Sequence, residues 1–189
     1  MSSTPVKILF TKTNAQYGFM SNFAAYPITV NGLVYPTNEH YFQSVKFVDP
    51  VYAEHIRTKC ATAAASKTAG RSRKYPIQPD WNTSRVDVML VALRAKFGQH
   101  EDIRTRLLET GDAELVEHAI WDRFWGDGGG KGTGQNILGK LIMKVREELG
   151  GPPAPPIVIV PPTPKAPAKK KAGAKRTRAT DELCDEVAE

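Results

Sequence analysis

Glu39, Gln43 and Lys46 stand at i, i+4 and i+7, the spacing that lines three side chains along one face of a helix while Phe42 and Val45 turn toward another. A carboxylate, an amide and an amine in one stripe can orient and move protons. The competing reading is a solvated face with an ordinary Glu/Lys pairing, but Tyr35, Tyr41, Phe42 and Phe47 surround the stripe and favour a pocket. Other polar groups also sit among aromatics: Ser21 and Asn22 between Phe19-Met20 and Phe23, Asp80 before Trp81, and Asp122 in Trp121-Asp122-Arg123-Phe124-Trp125-Gly126. Aromatic walls with a few directed polar groups suit a flat, hydrogen-bonding ligand such as a nucleobase. The alternative for Trp81 and Trp125 is a role as core anchors. Lys67 and Arg71, at i and i+4, could hold phosphate from one helical face, with plain surface decoration as the competing role.

Several familiar chemistries are excluded by counting. In Gly126-Asp127-Gly128-Gly129-Gly130-Lys131-Gly132-Thr133-Gly134 the lysine is followed by glycine instead of Ser or Thr, so this is no Walker loop. No triplet of these glycines satisfies G-x-G-x-x-G, which disfavours a dinucleotide fold. Glu39-His40 lacks the second histidine of a zinc peptidase, and His55, His100 and His118 are scattered, so no metal and no cofactor are expected. No G-x-S-x-G nucleophile motif occurs. Cys60 and Cys184 are too few and too far apart for a disulfide framework.

The elements that must position these groups follow from local signals. Val6 to Phe10 has strand composition, and Ile28 to Val30, Asn31-Gly32 and Leu33 to Tyr35 spell a hairpin with a two-residue turn. Thr37 is expected to cap a helix through Phe47, Asp49-Pro50 to open one through Arg57, and Ala61 to Arg71 to be helical. Further helices are expected near residues 84–97 and 101–109, and a run from Ala113 to Ala119 capped by Asp112. Leu138, Leu141, Ile142, Val145 and Leu149 form an apolar stripe, with Asn136 as cap and Gly150 as left-handed stop. The fold class is α+β: a mainly helical single domain with a small antiparallel β element.

The chain has 189 residues, enough for one domain plus an appendage. A composition break at Gly150-Gly151 divides a domain, residues 1–150, from an expected disordered tail, residues 151–189, in which eight of the 14 prolines lie between Pro152 and Pro167. The net charge is +6, and the tail holds seven Lys/Arg against five Asp/Glu. Lys165, Lys169, Lys170, Lys171, Lys175, Arg176 and Arg178 occur with no acid between them, as in a nuclear import signal, a nucleic-acid tether or a solubilising linker end. No apolar run approaches a bilayer span and no signal-peptide pattern opens the chain, so the expectation is an intracellular protein, without membrane partners, in nucleus or cytoplasm.

The order of these segments resembles the NADAR (NAD- and ADP-ribose-associated) superfamily, also called YbiA-like, across residues 8–149. The matching pieces include Gly18 to Phe23, Tyr35 to Gln43 with Lys46-Phe47, Ala65-Ser66-Lys67 with Gly70-Arg71, and Asp80-Trp81. Lys96-Phe97, Leu108 to Asp112, Asp122 with Trp125-Gly126, and Asn136 to Gly139 complete the series. Met20 departs from the leucine common in the family, an apolar swap of small effect.

The resemblance implies a compact, mostly helical fold and metal-independent N-glycosidic hydrolysis. Two substrate classes come with it: ADP-ribose attached to guanine bases, and phosphorylated early intermediates of riboflavin synthesis. It places Glu39, Trp81 and Asp122 at the active site, and Lys46 and Lys67 match the pattern. In that frame Glu39 stabilises an oxocarbenium-like transition state and activates water, and Asp122 binds ribose hydroxyls or shares the proton work. Trp81 and Phe19 enclose base or sugar, and Lys67 with Arg71 neutralises phosphate. Ser21, Asn22, Gln43, Trp125 and Gly126 complete the expected binding surface. A Schiff base at Lys46 is the mechanistic alternative. The basic tail favours ADP-ribosylated guanine in DNA or RNA over the riboflavin intermediates. Glu39 and Asp122 together with Trp81 favour an enzyme, expected to be a monomer, over a module that binds ADP-ribose or NAD without cleavage.

Overall fold

The computed structural model describes residues 6–160. In chain order its elements are β1 (Lys7–Phe10), β2 (Ile28–Val30), β3 (Leu33–Tyr35), α1 (Asn38–Ser44), α2 (Pro50–Lys59), α3 (Ala63–Ala69), α4 (Trp81–Gln99), α5 (Glu101–Leu108), β4 (Glu114–Glu117) and α6 (Ile137–Glu148). The α+β class follows, with helices predominating.

The hairpin forms where the sequence places it. Ile28 pairs with Tyr35 and Val30 with Leu33, and the turn residues Asn31 (φ 51°) and Gly32 (φ 78°) both take the positive φ that a two-residue turn of matching twist demands. Thr37 then caps α1, its Oγ1 accepting the His40 N–H at 3.3 Å. Every residue of α1 is buried. The helix stops at Ser44, three residues before the expected end at Phe47, because Phe47 leaves to form an antiparallel bridge with Ile77. Lys46 therefore lies beyond the helix, off the stripe of Glu39 and Gln43. The Asp49 carboxylate caps α2 at Val51 N (2.9 Å) and Tyr52 N (3.0 Å), and Thr62 caps α3. Because α3 ends at Ala69, Arg71 follows its Gly70 cap and shares no helical face with Lys67.

One expected helix is a strand. Residues 114–117 pair in parallel with β1, from Lys7 opposite Glu114 to Phe10 opposite Glu117, and Asp112 caps nothing helical. The physical reason is that β1 has one face buried through Ile8 and Phe10 and needs a partner for its backbone groups, while Leu115 and Val116 are buried in place. Asn136 likewise opens α6 in a different way from a side-chain cap. Its φ is 49°, and its side chain turns to β4: Oδ1 accepts from Glu117 N at 3.0 Å and Nδ2 donates to the Leu115 carbonyl at 2.8 Å.

The core lies between α4 and α6, where Met89, Leu93 and Phe97 meet Leu138, Leu141, Ile142 and Val145. Each such side chain stabilises the fold by roughly 1.5–3 kcal/mol. The described part of the appendage, residues 151–160, runs without helix or strand, and Gln135 brackets its end by accepting from Val160 N (2.7 Å) and donating to the Val160 carbonyl (2.8 Å). The basic run from Lys165 to Arg178 and Cys184 lie outside the described residues.

Candidate active site

Helix α1 is central to the site because neighbouring segments fix its first turn. The Glu39 N–H donates to the Asn22 carbonyl at 3.1 Å, and Asn38 Nδ2 donates to Asn22 Oδ1 at 3.4 Å. Ser21 is held in turn: its carbonyl accepts from the buried Lys96 ammonium at 2.8 Å, and its Oγ accepts from Phe23 N at 3.2 Å. Ser21 and Asn22 are thus engaged in positioning the helix that carries Glu39. His40 is also structural, bonded through Nδ1 to Thr37 Oγ1 and through Nε2 to the Cys60 carbonyl.

Glu39 is 6% exposed. Burial raises its pKa, opposed by the Gln43 hydrogen bond and by Lys67 and Lys46, while Asp122 adds to the rise. Gln43 Nε2 donates to Glu39 Oε1 at 2.8 Å, so the i, i+4 pair meets as its spacing requires. Gly70 packs on this amide, and a Cβ at that position would overlap Gln43 Oε1. Lys46 reaches the same place from outside the helix by donating to the Gly70 carbonyl. Burial lowers the pKa of Lys46, with Glu39 opposing. Lys67 is exposed, its ammonium 5.4 Å from the Phe23 ring centroid, and its charge reaches Glu39. Arg71 is exposed past the helix end and joins none of these contacts.

Asp122 closes a turn: its Oδ1 accepts from Phe124 N at 3.0 Å and from Trp125 N at 2.8 Å, leaving Oδ2 for other work. The aromatic side is built around Phe42, whose ring centroid lies 4.8 Å from that of Trp81 and 5.5 Å from that of Trp125. Trp81, only 6% exposed, belongs to the core beneath the site, while Trp125 is half-buried. The neighbouring Trp121 is 96% exposed.

Phe19 does not join this group. Its ring packs edge-on against Phe97 (6.4 Å) and under the Arg106 guanidinium (4.2 Å), because the turn at Gly18–Met20 is folded into the core. Gly126 acts through its lack of a side chain. A Cβ there would come to 2.8 Å from the Glu117 carbonyl and from Ala119 Cβ, so glycine lets the Asp122 turn close on the end of β4.

Sequence reasoning misses one residue. Glu117, read as part of a helix, ends β4 instead, and its carboxyl lies within electrostatic reach of Asp122, Lys67, Glu39 and Asp127. The short apolar pair Leu115-Val116 was the only local sign of a strand. Among the described residues no three His, Cys, Asp or Glu side chains are grouped so as to hold a metal ion.

Comparison with known proteins matches the chain and its fold to a family. A sequence model of the NADAR domain matches residues 9–150. The chain is 49% identical over 142 residues to the N-glycosidase YbiA of Escherichia coli (strain K12), covering 75% of this chain and 88% of that protein. It is 42% identical over 142 residues to the riboflavin biosynthesis protein VVA0006 of Vibrio vulnificus (strain YJ016), covering 75% of this chain but 38% of the longer relative. The NMR structure of the E. coli protein YbiA superposes with a TM-score of 0.72 at 46% identity, over 79% of this chain and 88% of that one. With the match running from β1 to the end of α6 and the fold shared, the chain belongs to the NADAR domain family.

Proposed function

We propose that the protein is an N-glycosidase that removes ADP-ribose from ADP-ribosylated guanine bases in nucleic acid. The observation that carries the hydrolytic reading is the buried Glu39 carboxyl, hydrogen-bonded by Gln43 and within electrostatic reach of Asp122, Lys46 and Lys67, on the same helix as Phe42, whose ring meets Trp125. As the C1′–N bond of a ribosyl base breaks, positive charge builds on the sugar ring, and a carboxylate close to C1′ stabilises it. Glu39 takes a proton from water, the water oxygen bonds to C1′, and the base leaves with its bonding pair and is protonated by a second acid, Glu39 returning its own proton to solvent. In this reading Asp122 Oδ2 binds ribose hydroxyls and the exposed Lys67 meets phosphate. The relative named an N-glycosidase supports the reaction class. The basic run of the appendage supports a nucleic-acid substrate and a nuclear location, through attraction to backbone phosphates.

The second reading, hydrolysis of phosphorylated intermediates of riboflavin synthesis, is favoured by the relative named for that pathway. One experiment separates the two. The full chain is incubated with ADP-ribosylated guanine DNA or RNA and, separately, with the phosphorylated pyrimidine intermediates, and released base and sugar are measured. Release from the nucleic acid is expected, with a loss of about 10²–10⁴-fold in Glu39→Gln. Release from the pyrimidines alone replaces the first reading with the second, and binding of ADP-ribose with no release makes the protein a reader of the modification.

A further inference from the structure

Glu117 is held on several sides at the mouth of the Asp122 turn. Its N–H donates to Asn136 Oδ1 at 3.0 Å, and its carbonyl accepts from Asp127 N at 2.9 Å and Ala119 N at 3.1 Å. Gly126 packs on that carbonyl with no room for a Cβ. The side chain carries an oxygen, Oε2, that is sealed from solvent and has no hydrogen-bond partner. A fold seldom leaves a buried carboxyl oxygen unpaired except where something else is to meet it.

The surroundings of Glu117 differ from those of Glu39 in the partners each carboxyl has. Glu39 accepts a hydrogen bond from Gln43 and feels two lysines, Lys67 and Lys46, all of which favour its ionised form against burial. Glu117 has no such donor. It faces Asp122 and Asp127 from the loop and Glu39 from α1, with Lys67 of α3 the cation opposing them, while His118 is occupied by Asp127 at 2.9 Å. Burial first, then the charges of Asp122, Glu39 and Asp127, raises the Glu117 pKa to about 7. Burial raises the pKa of both carboxyls, and what distinguishes them is their partners. Glu39 has the Gln43 donor that a carboxylate base needs, while Glu117 has an unpaired buried oxygen among other acids, the setting of a neutral acid.

We infer that Glu117 is the proton donor to the departing base. Its neutral carboxyl gives a proton to the leaving nitrogen as C1′–N breaks, while the Glu39 carboxylate takes one from the water whose oxygen bonds to C1′. Glu117 ends the turnover ionised and Glu39 protonated, and exchange with solvent restores both. The assignment rests on the N-glycosidase reading and is the same for either substrate.

The test uses the full chain with Glu117→Gln and Glu117→Asp. In the free protein, labelled with ¹³C at glutamate side-chain carboxyls, a signal titrating near pH 7 is expected that disappears in Glu117→Gln. On whichever substrate the wild type cleaves, Glu117→Gln is expected to lose about 10²–10⁴-fold in kcat with KM within a few-fold, and to lose the alkaline limb of the pH profile. Glu117→Asp, which keeps a carboxyl proton, is expected to retain the limb at lower kcat and guards against a loss that is merely structural. A cleaving wild type with Glu117→Gln still above one tenth of its kcat, or with the alkaline limb intact, overturns the donor and leaves the N-glycosidase reading standing. A wild type that cleaves neither substrate overturns both together.

Discussion

At the scale of single residues, the buried carboxyls link function to stability. Glu117 in the unfolded chain titrates near the ordinary glutamate value of 4.5, and in the fold at about 7. Between those values the native state holds a proton that the unfolded state releases, so stability is highest below the lower value and falls as pH rises through the upper one. Glu39 adds in the same direction, its pKa also being raised by burial. Replacing Glu117 by Gln removes its share of the penalty. Glu117→Gln is therefore expected to gain on the order of 3 kcal/mol over wild type at pH 8 relative to pH 4. Denaturant midpoints at the two pH values measure this, and an equal difference at both refutes it. Lys46 poses a kinetic question at the same scale, because burial lowers its pKa and its amine is held near Glu39. If water is the nucleophile, borohydride added during turnover leaves no adduct. A covalent sugar on Lys46 would replace water with a Schiff base as the route. The Glu39–Gln43 pair was legible because an i, i+4 spacing needs only a helix, whereas the helix ends that put Lys46 and Arg71 outside their stripes depend on Phe47 pairing and on the Gly70 cap.

At the scale of elements, close approaches set the positions of the groups proposed to be catalytic. Gly70 has φ −61°, a conformation open to any residue, so the cost of Gly70→Ala is in the collision of its Cβ with Gln43 Oε1. The amide must leave Glu39 or the α3 end must shift. Gly70→Ala is expected to lower kcat tenfold or more while costing about 1–3 kcal/mol, read from steady-state rates and a melting curve. Unchanged kcat would show that Gln43 does not orient Glu39. Asn136 gives the matching test on the other side of the site, since its side chain holds both Glu117 N and the Leu115 carbonyl. Asn136→Gly keeps the positive φ and removes only those bonds, for an expected loss of about 1–3 kcal/mol in denaturant unfolding. The hairpin at Asn31-Gly32 was readable from a dipeptide, because its pairing is local. The β1–β4 pair was not. It joins residues over a hundred positions apart, and only the tertiary demand of β1 for a partner turns Glu114–Glu117 into a strand.

At the scale of the whole molecule, the described part of the appendage is tied to the domain. Residues 151–160 lie along the domain: Ala154 and Ile157 pack on the core, Ala154 N donates to Glu147 Oε2 at 3.2 Å, and Val160 is bracketed by Gln135. Gln135 N in turn donates to the Arg123 carbonyl at 2.8 Å, which ties this segment to the loop that carries Asp122 and Trp125. A cut after Val160 therefore spares the site, while a cut after Gly150 removes the bracket. The seven Lys/Arg between Lys165 and Arg178 follow the first cut point, so the chain ending at Val160 isolates their contribution. Each cation that neutralises a phosphate of duplex DNA adds about 0.9 to the slope of log affinity against log salt. The shortened chain is expected to keep the full chain's kcat on an ADP-ribosylated guanosine mononucleoside, and to show a raised KM and a shallower salt dependence on a modified duplex. Parallel salt titrations of KM for the two chains measure the difference in slope. Equal slopes would mean that the run makes no phosphate contact and that the duplex, if it is the substrate, is held by the domain alone.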